Sequence, residues 1–95
     1  VTELQTEIEQ SNYQVYNRPV MNTALDILTI LGKKNRVVLH ARDDAIPNAV
    51  AVANVLTEKF LKGNSKIHDI KVDSESMSEM GKMISTIEII IVKSS

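Results

Sequence analysis

The chain contains no cysteine. Disulfides, thiolate zinc sites and cysteine nucleophiles are therefore excluded, which fits a reducing compartment. Long apolar runs are also missing. The strongest, residues 87–92, is broken by Glu88 and falls far short of the roughly 20 residues a membrane span needs. No basic stretch followed by an apolar core opens the chain, so no secretion signal is expected. A large net charge is lacking as well, since 11 Lys and Arg face 12 Asp and Glu. Taken whole, that balance argues against a nucleic-acid partner, which usually selects basic domains. What is present is 95 residues with 43% apolar content. That suffices for one small domain with a packed core and is too apolar for a disordered chain.

The balanced total hides an uneven distribution. Residues 1–12 carry Glu3, Glu7 and Glu9 and no cation. Between Tyr13 and Lys71 nine Lys or Arg face five Asp or Glu, and after Lys71 the sign turns acidic again. The middle of the chain is mildly basic and its ends acidic. Residues 1–12 are expected to form a flexible acidic segment, and residues 13–95 a single domain.

Periodicity then places the elements. Residues 14–16 read as a short strand, interrupted by Asn17-Arg18-Pro19. From Val20 to Leu31, Val20, Ala24, Ile27, Leu28 and Leu31 recur at the helical period, with Gly32 as the expected terminator and Lys33-Lys34 near the negative end of the helix dipole. Residues 36–41 form a Val-rich strand of the kind buried on both faces. Arg42-Asp43-Asp44 leads into a second helix, with Asp44 as a candidate cap or Pro47 as its first residue. Its apolar stripe is Ile46, Ala49, Val50, Ala53, Leu56 and Phe60, and Gly63-Asn64 ends it. Residues 66–73 alternate, with His68, Ile70 and Val72 on one face and Ile67, Asp69 and Lys71 on the other. Residues 74–83 read as a long hairpin connection, and residues 84–92 as the last strand. The order β-α-β-α-β-β predicts an α/β two-layer sandwich, a four-stranded mixed sheet with two helices on one face.

Topology assigns a functional edge. A parallel crossover from the first strand to the second puts Asn17-Arg18-Pro19, Arg42-Asp43-Asp44 and the hairpin at one end of the sheet. Lys33, Lys34 and Arg36 fall at the other end. The first end also holds both helix N-termini, whose unpaired N–H groups favour phosphate. Arg18 and Arg42 are the cations there, and the bland alternative for each is an ion pair with Asp43 or Asp44. No nucleophile–base pair, glycine-rich phosphate loop or metal cluster is visible, so neither an enzyme nor a cofactor is expected. His40 and His68 lack companion ligands and read as non-metal residues.

Arg18-Pro19-Val20-Met21-Asn22, Val37-Val38-Leu39-His40-Ala41-Arg42, Ala45-Ile46 with Ala49-Val50, Phe60-Leu61 and Ser85-Thr86-Ile87-Glu88-Ile89 together resemble the Alba family of archaeal nucleic-acid-binding proteins, over roughly residues 14–93. The resemblance implies a fold like the C-terminal domain of translation initiation factor three. It also implies a dimer, sequence-independent binding of duplex DNA or structured RNA, and a cytoplasmic, chromosome-associated location. Carried over residue by residue, it implies nucleic-acid contacts from Asn17, Arg18, Asn22, Arg42 and Lys82, and places Phe60 near a dimer or dimer–dimer contact.

The departures matter. The family has two lysines where Asn17 and Arg18 stand, and Arg-Gly-Arg where Arg42-Asp43-Asp44 stands. The hairpin offers Lys82 against Glu75 and Glu79, with Met77, Met80 and Met83 as a flexible apolar contact surface. Fewer phosphate contacts predict weaker binding than in lysine-rich members. A homodimer, or a heterodimer with a more basic paralogue, is expected; the alternative is a protein-interaction subunit with little nucleic-acid affinity of its own. Tyr16 is expected to pack on the core.

Overall fold

A computed structural model describes residues 10–77 and 81–94. Strands β1 (Gln10–Gln14), β2 (Arg36–Arg42), β3 (Ser65–Met77) and β4 (Lys82–Lys93) form one sheet in the order β1-β2-β4-β3. Helix α1 (Val20–Lys34) joins β1 to β2, and α2 (Ile46–Val55) follows β2. β1 runs parallel to β2, whereas β4 is antiparallel to both of its neighbours, so β3 shares the direction of β2. This is the expected two-layer α/β sandwich.

The core forms where the helical stripes meet the inward faces of three strands. Ala24, Ile27 and Leu31 of α1 and Ala49, Val52 and Ala53 of α2, with Leu56 just beyond it, cluster with Val15, Val37, Leu39, Ala41, Ile87, Ile89 and Ile91. Val38 and Ile90 face each other on the opposite side of the sheet and are nevertheless buried. The β2 segment is therefore covered on both faces, as its Val-rich composition predicts.

Several local expectations shift. The first strand lies at Gln10–Gln14 instead of residues 14–16. Its mostly polar side chains give no hydrophobic signal. What makes it a strand is backbone pairing with β2, from Gln10 opposite Arg36 to Gln14 opposite His40. Residues 10–12 of the expected acidic segment therefore belong to the sheet, and residues 1–9 lie outside the described residues. Helix α1 passes through Gly32 and stops at Asn35, which takes a left-handed φ of 64° while its N–H bonds the Leu31 carbonyl. Asn tolerates that conformation nearly as well as Gly does.

Asp44 does not cap α2. A 3₁₀ turn at Asp43–Ala45 precedes the helix, Pro47 sits in the first helical turn, and no side chain caps the end. After Val55 the helix widens to an i→i+5 turn, in which the Leu61 N–H bonds the Leu56 carbonyl at 2.8 Å.

The polar stretch read as a loop is mostly ladder. β3 and β4 pair out to Met77 opposite Lys82. Residues 78–80 of the expected connection lie outside the described residues, and residues 74–77 and 82–83 are strand. Their sequence shows no period-2 burial because neither face of the arm meets the helices; residues 71–76 are all exposed. A bulge between Ile67 and Asp69 adds one residue to β3. It moves Ile67 onto the same side as Ile70 and Val72, opposite Ile91, Ile89 and Ile87. The expected grouping of His68 with Ile70 and Val72 assumed unbroken alternation.

Candidate nucleic-acid interface

The loop between β1 and α1 and the turn between β2 and α2 meet at one end of the sheet. They enclose an open cleft of about 520 Å³, lined among others by Tyr16, Asn17, Arg42, Asp43 and Asp44. The β1–α1 loop is fastened from both sides. The Val15 N–H extends the pairing of β1 by bonding the His40 carbonyl at 2.8 Å, and the Arg18 N–H closes a tight turn onto the Tyr16 carbonyl at 2.9 Å. Asn48, in the first turn of α2, donates through Nδ2 to the Tyr16 carbonyl at 3.2 Å and the Arg18 carbonyl at 3.3 Å. One amide side chain thus joins the two segments that form the cleft. Nothing local in the sequence marks Asn48, because its partners lie 30 and 32 residues away.

Among the expected contact residues, Asn17 and Arg42 line this cleft together. Arg18 is exposed at the next position, and its guanidinium makes no ion pair among the described residues. The expected alternative, pairing with Asp43 or Asp44, does not occur. Its charge is felt by Tyr13, whose hydroxyl donates to Asp26 Oδ2 at 3.1 Å. Burial, followed by the hydrogen bond to Asp26 and its negative charge, raises the Tyr13 pKa above its ordinary value of 10.0, while Arg18 pulls the other way. Asn22 is exposed in the first turn of α1 but does not line the cleft. Tyr16 does not pack on the core as expected. It is 58% exposed and lines the cleft.

Arg42 is engaged. Its guanidinium lies 3.0 Å from Glu75 Oε1, with both side chains about half exposed. The partner is neither Asp43 nor Asp44, since Glu75 comes from β3, reaching past β4 on the face away from the helices. The same face carries His40, whose Nε2 is 2.9 Å from Asn12 Oδ1 and whose Nδ1 is 3.9 Å from Glu88 Oε2. His40 therefore has a role in the polar layer of the sheet.

Asp43 adopts φ 53°. That left-handed conformation costs most side chains 1–2 kcal/mol, is tolerated by Asp and Asn, and is free for Gly. The position is the one at which the resemblance predicts glycine, so backbone geometry accounts for Gly there and for Asp as its substitute. Asp43 and Asp44 place two carboxylates at the cleft mouth. The N-terminus of α1 opens at this end without a side-chain cap, leaving first-turn N–H groups that suit an anion. By contrast α2 continues from the 3₁₀ turn, with its Ile46 N–H on the Asp43 carbonyl and no N–H at Pro47. Lys82 opens β4 at the outer end of the hairpin arm, and Met83 beside it is 65% exposed. Met80 and the side chains of Met77 and Lys82 lie outside the described residues. Phe60 is partly buried against the core from the end of the widened turn.

Comparison with known proteins adds an independent line. The Alba family model matches residues 12–74. The DNA/RNA-binding protein Alba of Picrophilus torridus is 35% identical over 89 residues, covering 90% of this chain and 98% of the relative. The DNA/RNA-binding protein Alba 1 of Archaeoglobus fulgidus is 40% identical over 82 residues, covering 83% and 91%. The solved structure of Alba from Thermoplasma volcanium superposes with a TM-score of 0.76 at 30% identity, covering 86% of this chain and 99% of that one.

Proposed function

The chain belongs to the Alba family, and from that premise we propose that it is a sequence-independent nucleic-acid-binding protein, of duplex DNA, structured RNA or both, and catalyses no reaction. The observation that carries the reading is Arg18, an exposed cation next to Asn17 of the cleft lining, at the end of the sheet where α1 begins without a side-chain cap. Contacts to phosphate from such an edge supply affinity without reading sequence. Asn17, Asn22, Arg42 and Lys82 complete the proposed contact set. If DNA is the ligand, the protein is chromosome-associated.

Affinity is lower than in a lysine-rich member. Arg42 is shared with Glu75, and Asp43 and Asp44 repel phosphate at the cleft mouth. The functional unit is a dimer. Ile70 and Val72 point to the helix side of edge strand β3, beyond the reach of the helices, and are 47% and 73% exposed. An apolar strip on an edge strand needs a cover, and a second copy or a more basic paralogue supplies one.

The test is Arg18→Glu. Fluorescence anisotropy with duplex DNA and with structured RNA is expected to show weaker binding and a salt exponent smaller by about 0.9, one lost phosphate contact. Unchanged binding of both ligands contradicts the reading. It favours instead an interaction subunit with little nucleic-acid affinity, for which the neutralised Arg42 is the supporting observation.

A further inference from the structure

Among the described residues, the largest group of cations is not at the cleft. It lies at the other end of the sheet, where α1 ends, β2 and β3 begin and β4 finishes. Lys33 and Lys34 close α1, Arg36 opens β2, Lys62 sits in the turn before β3, Lys66 is the second residue of β3, and Lys93 ends β4. The backbone draws these segments together. The Lys93 N–H bonds the Asn35 carbonyl at 2.9 Å, and the Ser94 N–H bonds the Asn64 carbonyl at 2.8 Å. Arg36 and Lys66 flank Val92 from the two neighbouring strands, roughly 9–10 Å apart on one face.

Among the described residues few acids oppose them. Glu58 has Lys59 beside it, and the carboxylate of Asp69 accepts the next backbone N–H at 2.9 Å. The carbonyl end of the α1 dipole amounts to about half a negative charge, too little to cancel six cations. Lys34 and Arg36 make other polar contacts within the molecule. The exposed residues Lys33, Lys62 and Lys66 are the ones available to a ligand.

We propose that this end is a second polyanion-binding surface that takes the phosphate backbone of nucleic acid. The proposal rests on the reading that the protein binds nucleic acid, but it assigns contacts to residues outside the cleft. Protein–protein interfaces are depleted in lysine and anchored by buried aromatic or apolar side chains. Among the described residues none of the exposed large apolar side chains lies here: Tyr16, Met21, Leu25, Val50, Ile70, Val72 and Met83 are all elsewhere. A lysine-rich end without such anchors suits a charged backbone more than an acidic protein. The two ends are separate, because the seven residues of β2, from Arg36 to Arg42, span about 20 Å.

The experiment compares three proteins by anisotropy with one duplex DNA over a range of salt: wild type, Arg18→Glu, and the triple variant Lys33→Gln, Lys62→Gln, Lys66→Gln. The neutral glutamines at exposed positions preserve the fold, checked by thermal unfolding. The expected result is weaker binding by the triple variant and a salt exponent smaller by about 0.9 for each lysine that contacts phosphate. A triple variant that binds like wild type while Arg18→Glu is impaired overturns this proposal and leaves the cleft reading standing. Impairment of the triple variant alone supports the proposal and removes the cleft reading. Lys71→Gln, in mid-sheet, controls for net charge, and an equal loss per charge there overturns the proposal. So does poly-glutamate competing for wild type as strongly as the duplex.

Discussion

The two ends of the sheet differ in how their charge is arranged. At the cleft end, the cations Arg18 and Arg42 share the region with Asp43, Asp44, Asp73 and Glu75, and Arg42 is tied to Glu75 at 3.0 Å. At the other end six cations gather around the termini of four elements; Lys34 and Arg36 are engaged within the molecule, and Lys33, Lys62 and Lys66 are exposed with few acids opposing them among the described residues. The cleft end has shape, the N-terminus of α1 and a fastened loop. The lysine end has charge and no cleft. The comparison teaches that position in the fold and net charge are separate determinants of where phosphate binds. On the proposed reading, affinity at the cleft would come from a few placed groups, and at the lysine end from long-range attraction that salt screens.

The largest effect expected at the cleft end is that of Asn48→Ala. It removes both hydrogen bonds that hold the Tyr16 and Arg18 carbonyls, and about 1–2 kcal/mol of stability should be lost in urea denaturation. Nucleic-acid binding should weaken through the cleft while the lysine end is unaffected. A variant with wild-type stability and affinity would show that the loop holds its shape without the amide.

Asp43→Gly acts in the opposite direction. It removes the strain of a left-handed φ of 53°, and about 1 kcal/mol of stability should be gained. It also removes a carboxylate from the cleft mouth, so duplex affinity should rise. Loss of stability would mean that the Asp43 side chain does more for the turn than its conformation costs.

The smallest effect is a titration. Because Tyr13 has a raised pKa in the folded protein, the folded state holds the phenol proton more tightly than the unfolded state does. Its contribution to stability is complete below pH 10 and is lost as pH rises through the raised value. Asp26→Asn removes the carboxylate that accepts the Tyr13 hydroxyl hydrogen bond and should lower the pKa. Phenolate absorbance, followed in a Tyr16→Phe background that leaves one tyrosine, measures it. An unchanged or higher value after Asp26→Asn would contradict the assigned causes.

Much of this architecture is legible in the chain, for identifiable reasons. Helix α1 announces itself because Ala24, Ile27 and Leu31 all face the core, and burial on one side imposes a period. The β2 and β4 strands do the same with Val and Ile. β1 and the outer hairpin arm do not, since their residues are held by backbone pairing and gain little from burial. The bulge after Ile67 is invisible for a related reason: one inserted residue reverses every later face, and both faces there are polar enough to be read either way.

At the candidate site, topology correctly brings Asn17 and Arg42 to one cleft. Asn48 and Glu75 escape notice because each acts on a segment about 30 residues away. The difference between the two ends also needs the fold, because Lys33, Lys62, Lys66 and Lys93 are scattered along the chain and become one surface only when four termini converge.

The most direct test of nucleic-acid binding is a salt titration of the unmodified protein with duplex DNA and with structured RNA, followed by anisotropy. The account predicts binding whose logarithmic affinity falls linearly with the logarithm of salt concentration, with a slope set by the few phosphates contacted. No binding of either ligand at low salt, or affinity independent of salt, would contradict it.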